Sequence, residues 1–287
     1  MRYAKHARPV TGDAAHAHSI RRLVRPVLSA AVILVIAAAA VSAAATKSPA
    51  APSPVASYEI LRNFTYWGGR PQSALLEASP GVFYGTASEF DQGKGSVFRV
   101  SPDGAGGFTL TALHTFSGPD GQTPMSALVT AGDSYLYGTT VAGGEFGYGT
   151  VFKLSLDGSD FAVLHSFTGG DDGQHPMGAL LADGEGFVGT TAGPDESDGG
   201  TVFRISADGT VATLHTFSGA DGSHPWDALI RGTDDALYGT TRGGGTSDYG
   251  TIFRLSPDGL GGFEFNTVYE FTGSCLYPVG PLFQGGA

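Results

Sequence analysis

Repeated histidines are the first residues of this 287-residue chain that could do chemistry. Three lie in Leu-His-[Thr/Ser]-Phe motifs and two precede a proline: His114, His165, His215, His175 and His224. A ring of imidazoles could bind a transition metal. However, the first position is Arg62 and Tyr269 in the flanking units, and the second is Thr123 in another unit. We therefore predict half-exposed strand positions, with no metal site and no cofactor.

A basic residue follows a repeated Phe, and Asp-Gly pairs recur throughout. The basic residues are Arg99, Lys153, Arg204 and Arg254. They could line a channel and hold an anion, but an ion pair between repeat units, with an Asp of the Asp-Gly loops, is the favoured interpretation. No Asp-Gly segment has the Asp-x-Asp-x-Asp-Gly spacing of a calcium loop, so we predict turns there.

Sequence motifs for catalysis are absent. The chain has no Gly-x-Ser-x-Gly, His-Glu-x-x-His, Ser-x-x-Lys or phosphate loop. Most Asp residues recur with the repeat, whereas a catalytic pair should be singular. The carboxylates outside the repeat pattern fall in one class of loop: Glu89, Asp91, Glu145, Glu196 and Asp198. We predict no catalytic residues.

That class of loop is the best pointer to a binding surface, because its sequence differs from unit to unit. The loops span residues 87–94, 141–148, 192–199 and 242–249. They carry four aromatic residues among the carboxylates: Phe90, Phe146, Tyr148 and Tyr249. Aromatic and acidic groups together suit a carbohydrate or protein surface. We predict that these four residues contact an extracellular glycan or protein partner.

A repeated motif must position these loops. A Tyr-Gly-Thr-like triplet is followed, after a Gly-rich gap, by Gly-[Thr/Ser]-[Val/Ile]-Phe-[Arg/Lys] four times. Successive central Phe residues, Phe98, Phe152, Phe203 and Phe253, are separated by 54, 51 and 50 residues. A period near fifty indicates a repeated supersecondary unit.

Each unit reads as four short strands. We expect first strands at 126–129, 179–181 and 228–230, second strands that end in the triplet, third strands through the Phe, and fourth strands that end in Leu-His-[Thr/Ser]-Phe. Asp-Gly pairs between third and fourth strands favour tight hairpins. The links to the next first strand carry another Asp-Gly and a Pro, and should emerge at the same end as the variable loops. The fold class is therefore all-β, a β-propeller-like array of four four-stranded antiparallel blades. A β-solenoid is the alternative.

The ends of the chain complete the domain organisation. We divide the chain into a signal peptide (1–45), a Pro/Ala/Ser linker (46–57) and a repeat domain (58–287), with repeats at about 58–110, 111–161, 162–211 and 212–265 and a partial one at 266–287. Residues 60–64 and 281–283 read as orphan terminal strands. With four full blades, we expect the ring to close at four, to pair with a second chain, or to be a truncated form of a longer protein.

Charge and export narrow the class of partner. Removal of residues 1–45 takes away six basic residues and one Asp, which changes the net charge from −11 to about −16. Such acidity excludes a nucleic-acid partner, because phosphate binding needs clustered Lys and Arg. We predict a secreted or cell-surface protein, with membrane contact only if the signal is retained as an uncleaved anchor.

The pattern of Leu-Tyr-Gly-Thr-Thr, Gly-Thr-Val-Phe-Lys-Leu, Asp-Gly, Leu-His-Ser-Phe and Asp-Gly-x-x-Pro resembles the choice-of-anchor GloVer tandem-repeat proteins of bacteria, over residues 58–284. The resemblance implies an exported or surface-displayed repeat protein without an established activity. Members typically have more repeats and a C-terminal anchoring signal, neither of which this sequence shows. The leading hypothesis is a protein that acts by binding or display. The alternative is a propeller-type glycoside hydrolase or lyase on extracellular polysaccharide.

Overall fold

The structure is a computed structural model that describes residues 69–89, 94–184, 186–194, 199–273, 277–278 and 280–284. All of them lie in one compact unit of residues 32–287. The predicted signal peptide, the linker and the orphan strand at 60–64 lie outside the described residues. In the part of the chain that is described, no helix is long and apolar enough to cross a membrane.

The described residues form sixteen strands in four antiparallel sheets, which we call blades 1 to 4. Blade 1 comprises β1 (Gly69–Arg70), β2 (Leu76–Ser79), β3 (Val82–Glu89), β4 (Ser96–Pro102) and β5 (Phe108–Thr115). Blade 2 comprises β6 (Tyr135–Thr140), β7 (Thr150–Ser155) and β8 (Phe161–Ser166). Blade 3 comprises β9 (Leu181–Asp183), β10 (Gly186–Thr191), β11 (Thr201–Ser206) and β12 (Val211–Thr216). Blade 4 comprises β13 (Ile230–Arg231), β14 (Leu237–Thr241), β15 (Thr251–Pro257) and β16 (Phe263–Glu270).

From the first strand of each blade onward, apart from β1, neighbours along the chain pair in space as a meander. Blades 3 and 4 run in the order β9-β10-β11-β12 and β13-β14-β15-β16, and in blade 2 a single bridge between Val129 and Tyr137 takes the place of the first strand. In blade 1 both β1 and β2 pair with β3. The predicted all-β, propeller-like array of four blades is confirmed.

The first strands differ from the sequence expectation. They lie at Leu181–Asp183 and Ile230–Arg231, two residues later than the expected starts at 179 and 228. The apolar residues that suggested strands, Leu128, Leu180 and Leu229, are buried in the core beside these strands. The apolar run therefore marks burial, and the ladder of hydrogen bonds forms after it.

The Tyr-Gly-Thr motif exists because each of its glycines lies opposite the Phe of the third strand. Gly138 is paired with Phe152, and the same register joins Gly189 to Phe203. A Cβ atom on Gly138 would lie 2.7 Å from Phe152 Cζ and 2.9 Å from Leu128 Cδ2. Only glycine leaves room for the ring, so the triplet and the Phe must recur together.

Apolar clusters between neighbouring blades form the core. Between blades 1 and 2, Phe116 packs against Phe152 with ring centroids 5.2 Å apart and an interplanar angle of 66°. The corresponding rings lie 5.2 and 5.1 Å apart between blades 2 and 3 and between blades 3 and 4. Burial of each such ring contributes about 1.5–3 kcal/mol. The fifty-residue period is therefore the spacing of the blade interfaces.

The Asp-Gly hairpins join third and fourth strands as predicted. Asp157 Oδ1 accepts hydrogen bonds from Ser155 Oγ and from the N–H and Oγ of Ser159, which hold the pKa of this carboxyl at about 2. Gly158 adopts a φ of +82°, which glycine tolerates without strain. These aspartates are turn residues.

The basic residue after the Phe pairs differently from the prediction. Arg254 bonds Asp234 at 2.7 Å, and Arg204 Nε bonds Asp183 at 2.8 Å, so each cation pairs within its own blade with the hairpin between first and second strands. Lys153 lies over the ring of Tyr135. The expected pairing between units was wrong for these residues, because a strand directs the cation along its own sheet. The bond between blades is instead made by Arg231, which also pairs with Asp183.

The predicted repeat boundaries and the C-terminal strand can also be placed. The boundaries near residues 110, 161, 211 and 265 fall in the fourth strands β5, β8, β12 and β16. Residues 281–284 form no strand, so the orphan strand expected at 281–283 is not found. A first strand pairs with the second strand of its own blade, and the described residues contain no such strand after β16.

Candidate functional site

The links between blades place four residues with strained backbones at one end of the array. Each link ends in a proline, and the residue before it has a φ of +55° to +60°. These residues are Thr123, His175, His224 and Tyr277. The left-handed region costs residues other than glycine about 1–2 kcal/mol. Such outliers are a reason to look for function nearby.

Backbone hydrogen bonds of these residues also connect the links to the variable loops. The backbone N–H of His175 donates to Tyr148 O at 2.8 Å, and that of Tyr277 donates to Tyr249 O at 3.3 Å. The backbone oxygen of His224 accepts from the N–H of Arg242 at 2.9 Å. The expectation that links and variable loops share one end is confirmed.

Aromatic side chains contact each other beside these backbone hydrogen bonds. The rings of Tyr148 and His175 lie edge to face with centroids 6.1 Å apart, and those of Tyr249 and Tyr277 do so at 6.0 Å. The Nδ1–H of His175 donates to Val141 O at 2.9 Å. Neighbouring junctions therefore repeat one backbone frame with different side chains.

A cavity of about 240 Å³ opens at the loop end of blade 4, between the link that enters this blade and the segment that follows β16. It is lined by His224, Arg242, Gly243, Asp248 and Tyr277. The Arg242 guanidinium lies 4.3 Å from the ring centroid of Trp226 and 5.9 Å from that of Tyr277. Asp248 Oδ1 accepts the N–H of Gly244 at 2.8 Å. Aromatic, cationic and anionic groups thus converge on one small space, which is typical of a ligand site.

The residues around this cavity differ from those at the equivalent positions of the other units. Where Arg242 stands, the other units have Ser88, Val141 and Ala192. Where Trp226 stands, the other units have Gln72, Met125 and Met177. Scaffold chemistry requires none of these changes, since the same backbone frame forms without them.

A carboxyl group with a perturbed pKa, that of Asp227, lies in the link that enters blade 4. Burial raises the pKa of Asp227, and the hydrogen bond that its Oδ2 accepts from the Gly280 N–H at 2.7 Å opposes the shift in part. Asp227 takes the place of Gly178 and Ser126 in other units. In the described ranges, no three His, Cys, Asp or Glu side chains are grouped as metal ligands.

The four aromatic residues predicted from the loops lie at more than one place. Tyr249 contacts Tyr277 at the cavity, whereas Tyr148 packs at the junction of blades 2 and 3. Phe146 and Tyr148 are both exposed, and Phe90 lies outside the described residues. Sequence reasoning missed Trp226, Arg242 and Tyr277. A comparison of equivalent link positions between repeats would have revealed them as departures from the pattern.

The fold and the repeated junctions define a propeller-like repeat protein. The sequence matches the Gloeobacter/Verrucomicrobia repeat family over residues 54–286. The chain therefore belongs to this family, in agreement with the resemblance seen in its motifs.

Solved structures match the chain at low sequence identity and with TM-scores below 0.5. TolB from Acinetobacter baumannii is 14% identical with a TM-score of 0.37, over 66% of this chain and 41% of that chain. A putative 6-phosphogluconolactonase from Bacteroides uniformis is 18% identical with a TM-score of 0.44, over 75% and 60% respectively. An alpha-L-arabinofuranosidase from Clostridium thermocellum is 14% identical with a TM-score of 0.41, over 71% and 74%. The chain thus spans less than two thirds of the first two, and similarity at this level does not define a function. No curated protein matches the chain.

Proposed function

We propose that the protein is exported and acts by binding an extracellular glycan or protein partner at the end of the blades that carries the links and variable loops. One observation carries the proposal: the cavity at the loop end of blade 4, where the repeat is broken by Trp226, Arg242 and Tyr277. Residues that differ from the repeat, and that the repeated backbone does not need, are best explained by contact with a ligand.

The state of the repeated carboxylates supports binding over catalysis. Asp120, Asp172 and Asp221 each accept hydrogen bonds from the preceding Ser or Thr and from a histidine. Asp103 and Asp258 accept backbone N–H groups in hairpin turns. Carboxylates that hold turns in this way are engaged in the fold, and few are left to act on a substrate.

A glycan array with protein expressed without residues 1–45 tests the proposal. The variant with Phe146→Ala, Tyr148→Ala and Tyr249→Ala should lose the signal of the parent chain, because it removes two exposed rings and one half-buried ring of the loop end. A variant with Leu260→Ala and Tyr269→Ala is the matched control, since it removes exposed apolar side chains that lie on the β15–β16 hairpin and on β16. Equal glycan and protein binding by the parent and the loop variant would contradict the proposal.

One observation favours hydrolysis or lysis of a polysaccharide as the second candidate function. A carboxyl group with a raised pKa can serve as a general acid, and burial raises that of Asp227. Turnover on a polysaccharide panel, lost in Asp227→Asn and kept in Asp171→Asn, would favour this candidate. Asp171 is exposed, so its replacement should change little.

A further inference from the structure

We propose that the cavity at the loop end of blade 4 is a subsite for one uncharged sugar ring. This inference rests on the proposed function and narrows it from a surface to five lining residues and one class of ligand. It depends on the shape, charge and backbone of the cavity, each of which points to the same kind of ligand.

The backbone and the exposure of Tyr277 give no packing reason for an aromatic ring at this position. Tyr277 has a φ of +55°, where Gly or Asn would be accommodated more easily, and its side chain is 48% exposed. Core packing therefore does not explain why a bulky ring stands there. A ring at the edge of a cavity offers a flat apolar face, which suits the C–H face of a sugar.

The charges of the cavity select against a charged ligand. Arg242 and Asp248 both line it, so a sugar with a charge of either sign would meet a like charge beside the opposite one, which offsets the attraction. Hydroxyl groups both donate and accept hydrogen bonds, so an uncharged sugar satisfies both residues. Stacking of Arg242 on Trp226 covers the guanidinium face and fixes the plane of its N–H groups.

The size of the cavity sets the ligand at one ring. Its volume of about 240 Å³ lies below the range of about 300–1,000 Å³ that is typical of sites for drug-sized ligands. A longer glycan would place a single residue here and run across the neighbouring loops.

The test measures binding of small sugars to protein expressed without residues 1–45. The probes are the methyl glycosides of glucose, galactose, mannose and xylose, with glucuronic acid as the charged counterpart. In a Trp67→Phe background Trp226 is the single tryptophan, so its fluorescence reports on the group beneath Arg242. We expect at least one neutral glycoside to bind and to weaken about tenfold in Tyr277→Asn. Thr123→Asn changes the same position of another link and should leave affinity unchanged.

A second variant keeps the inference testable if Tyr277→Asn fails to fold. Asp248→Asn retains an oxygen for the Gly244 N–H and removes the charge, so binding of glucuronic acid should gain relative to the neutral sugars. Tighter binding of glucuronic acid than of every neutral probe by the parent chain would overturn the subsite, as would equal loss in Tyr277→Asn and Thr123→Asn. If the glycan array stays positive while Tyr277→Asn changes nothing, the subsite is wrong and the proposed function stands. If no glycan binds at all, the subsite fails together with the glycan form of the proposed function.

Discussion

The repeated histidines join a link to two blades at once. In the third unit His215 Nε2–H donates to Asp221 Oδ2 at 2.9 Å, and the N–H and Oγ of Ser218 donate to Asp221 Oδ1. The imidazole stacks on Phe265 of blade 4 at 3.7 Å with a 4° angle between planes. His114, His165 and His215 lie on strands, as expected from the sequence, and the partner of each is a carboxylate of the link, whereas His175 and His224 lie in the links themselves.

Low pH should weaken the hydrogen bonds that these aspartates accept. Burial alone would raise the pKa of Asp172, but hydrogen bonds from the Oγ and N–H of Thr168 and from His165 outweigh it and lower the pKa. A lowered pKa in the folded state gives stability that is present above the ordinary value near 3.8 and is lost as pH falls through the lowered value. Asp172→Asn should therefore cost about 1–2 kcal/mol at neutral pH and flatten the loss below about pH 4. Urea unfolding at several pH values measures both effects, with Asp171→Asn as the control. An unchanged pH profile would contradict this role.

The glycine of the triplet offers a steric prediction. In Gly138→Ala the new methyl group would lie against Phe152 and Leu128, both buried, so the third strand or its ring must shift. We expect a loss of about 1–3 kcal/mol in chemical denaturation. Gly280→Ala is the control, since a Cβ there meets nothing within 4 Å. A stability of Gly138→Ala equal to that of the control would show that the ring has room to move.

At the scale of elements, Asp183 ties blade 3 to blade 4. It accepts bonds from Arg204 of its own blade and from Arg231 of the next, and its side chain is only 13% exposed. Asp234 pairs within blade 4 alone and is 41% exposed. Asp183→Asn should therefore cost about 1–3 kcal/mol, and Asp234→Asn less than about 1 kcal/mol. A double-mutant cycle with Arg231→Met should give a coupling energy for Asp183. No coupling would mean that the blades are held by their apolar clusters alone.

The sequence predicted those strands whose residue pattern is required by a direct contact, such as that between a Phe and the glycine facing it. The spacing of Phe98, Phe152, Phe203 and Phe253 revealed the blades, because each Phe needs a facing glycine and a neighbouring blade. The first strands were placed too early, because burial of Leu180 does not depend on ladder hydrogen bonds. The cavity was not predicted because Trp226 lies in a link and Arg242 in a variable loop. From the sequence, binding residues were expected only in the variable loops.

At the scale of the molecule, the outer face of blade 4 differs from the three faces before it. Val268 and Tyr269 on β16 are 54% and 52% exposed, whereas His215, in the place of Tyr269, stacks on the next blade. Amides of β16 should therefore exchange with deuterium faster than those of the equivalent strand β12. Hydrogen-exchange mass spectrometry compares the two strands in one sample, with β8 as an internal reference. Equal protection of β12 and β16 would indicate that a further chain or segment covers this face in solution. Closure of the array itself stays a prediction.

The near-identity of the three blade interfaces has a consequence at the level of the gene. The Phe–Phe contacts across them differ by only 0.1 Å between 5.1 and 5.2 Å, so the central ring contact is the same at all three interfaces. Unequal crossing-over between two repeats, for instance at the codons for Gly138 and Gly189, would delete or duplicate one whole blade and leave the central Phe–Phe contact of each new interface matched. Such exchange would carry the variable loops along as cassettes. The scaffold therefore allows lineages to change repeat number and ligand preference in a single recombination event, without a search for compensating core mutations.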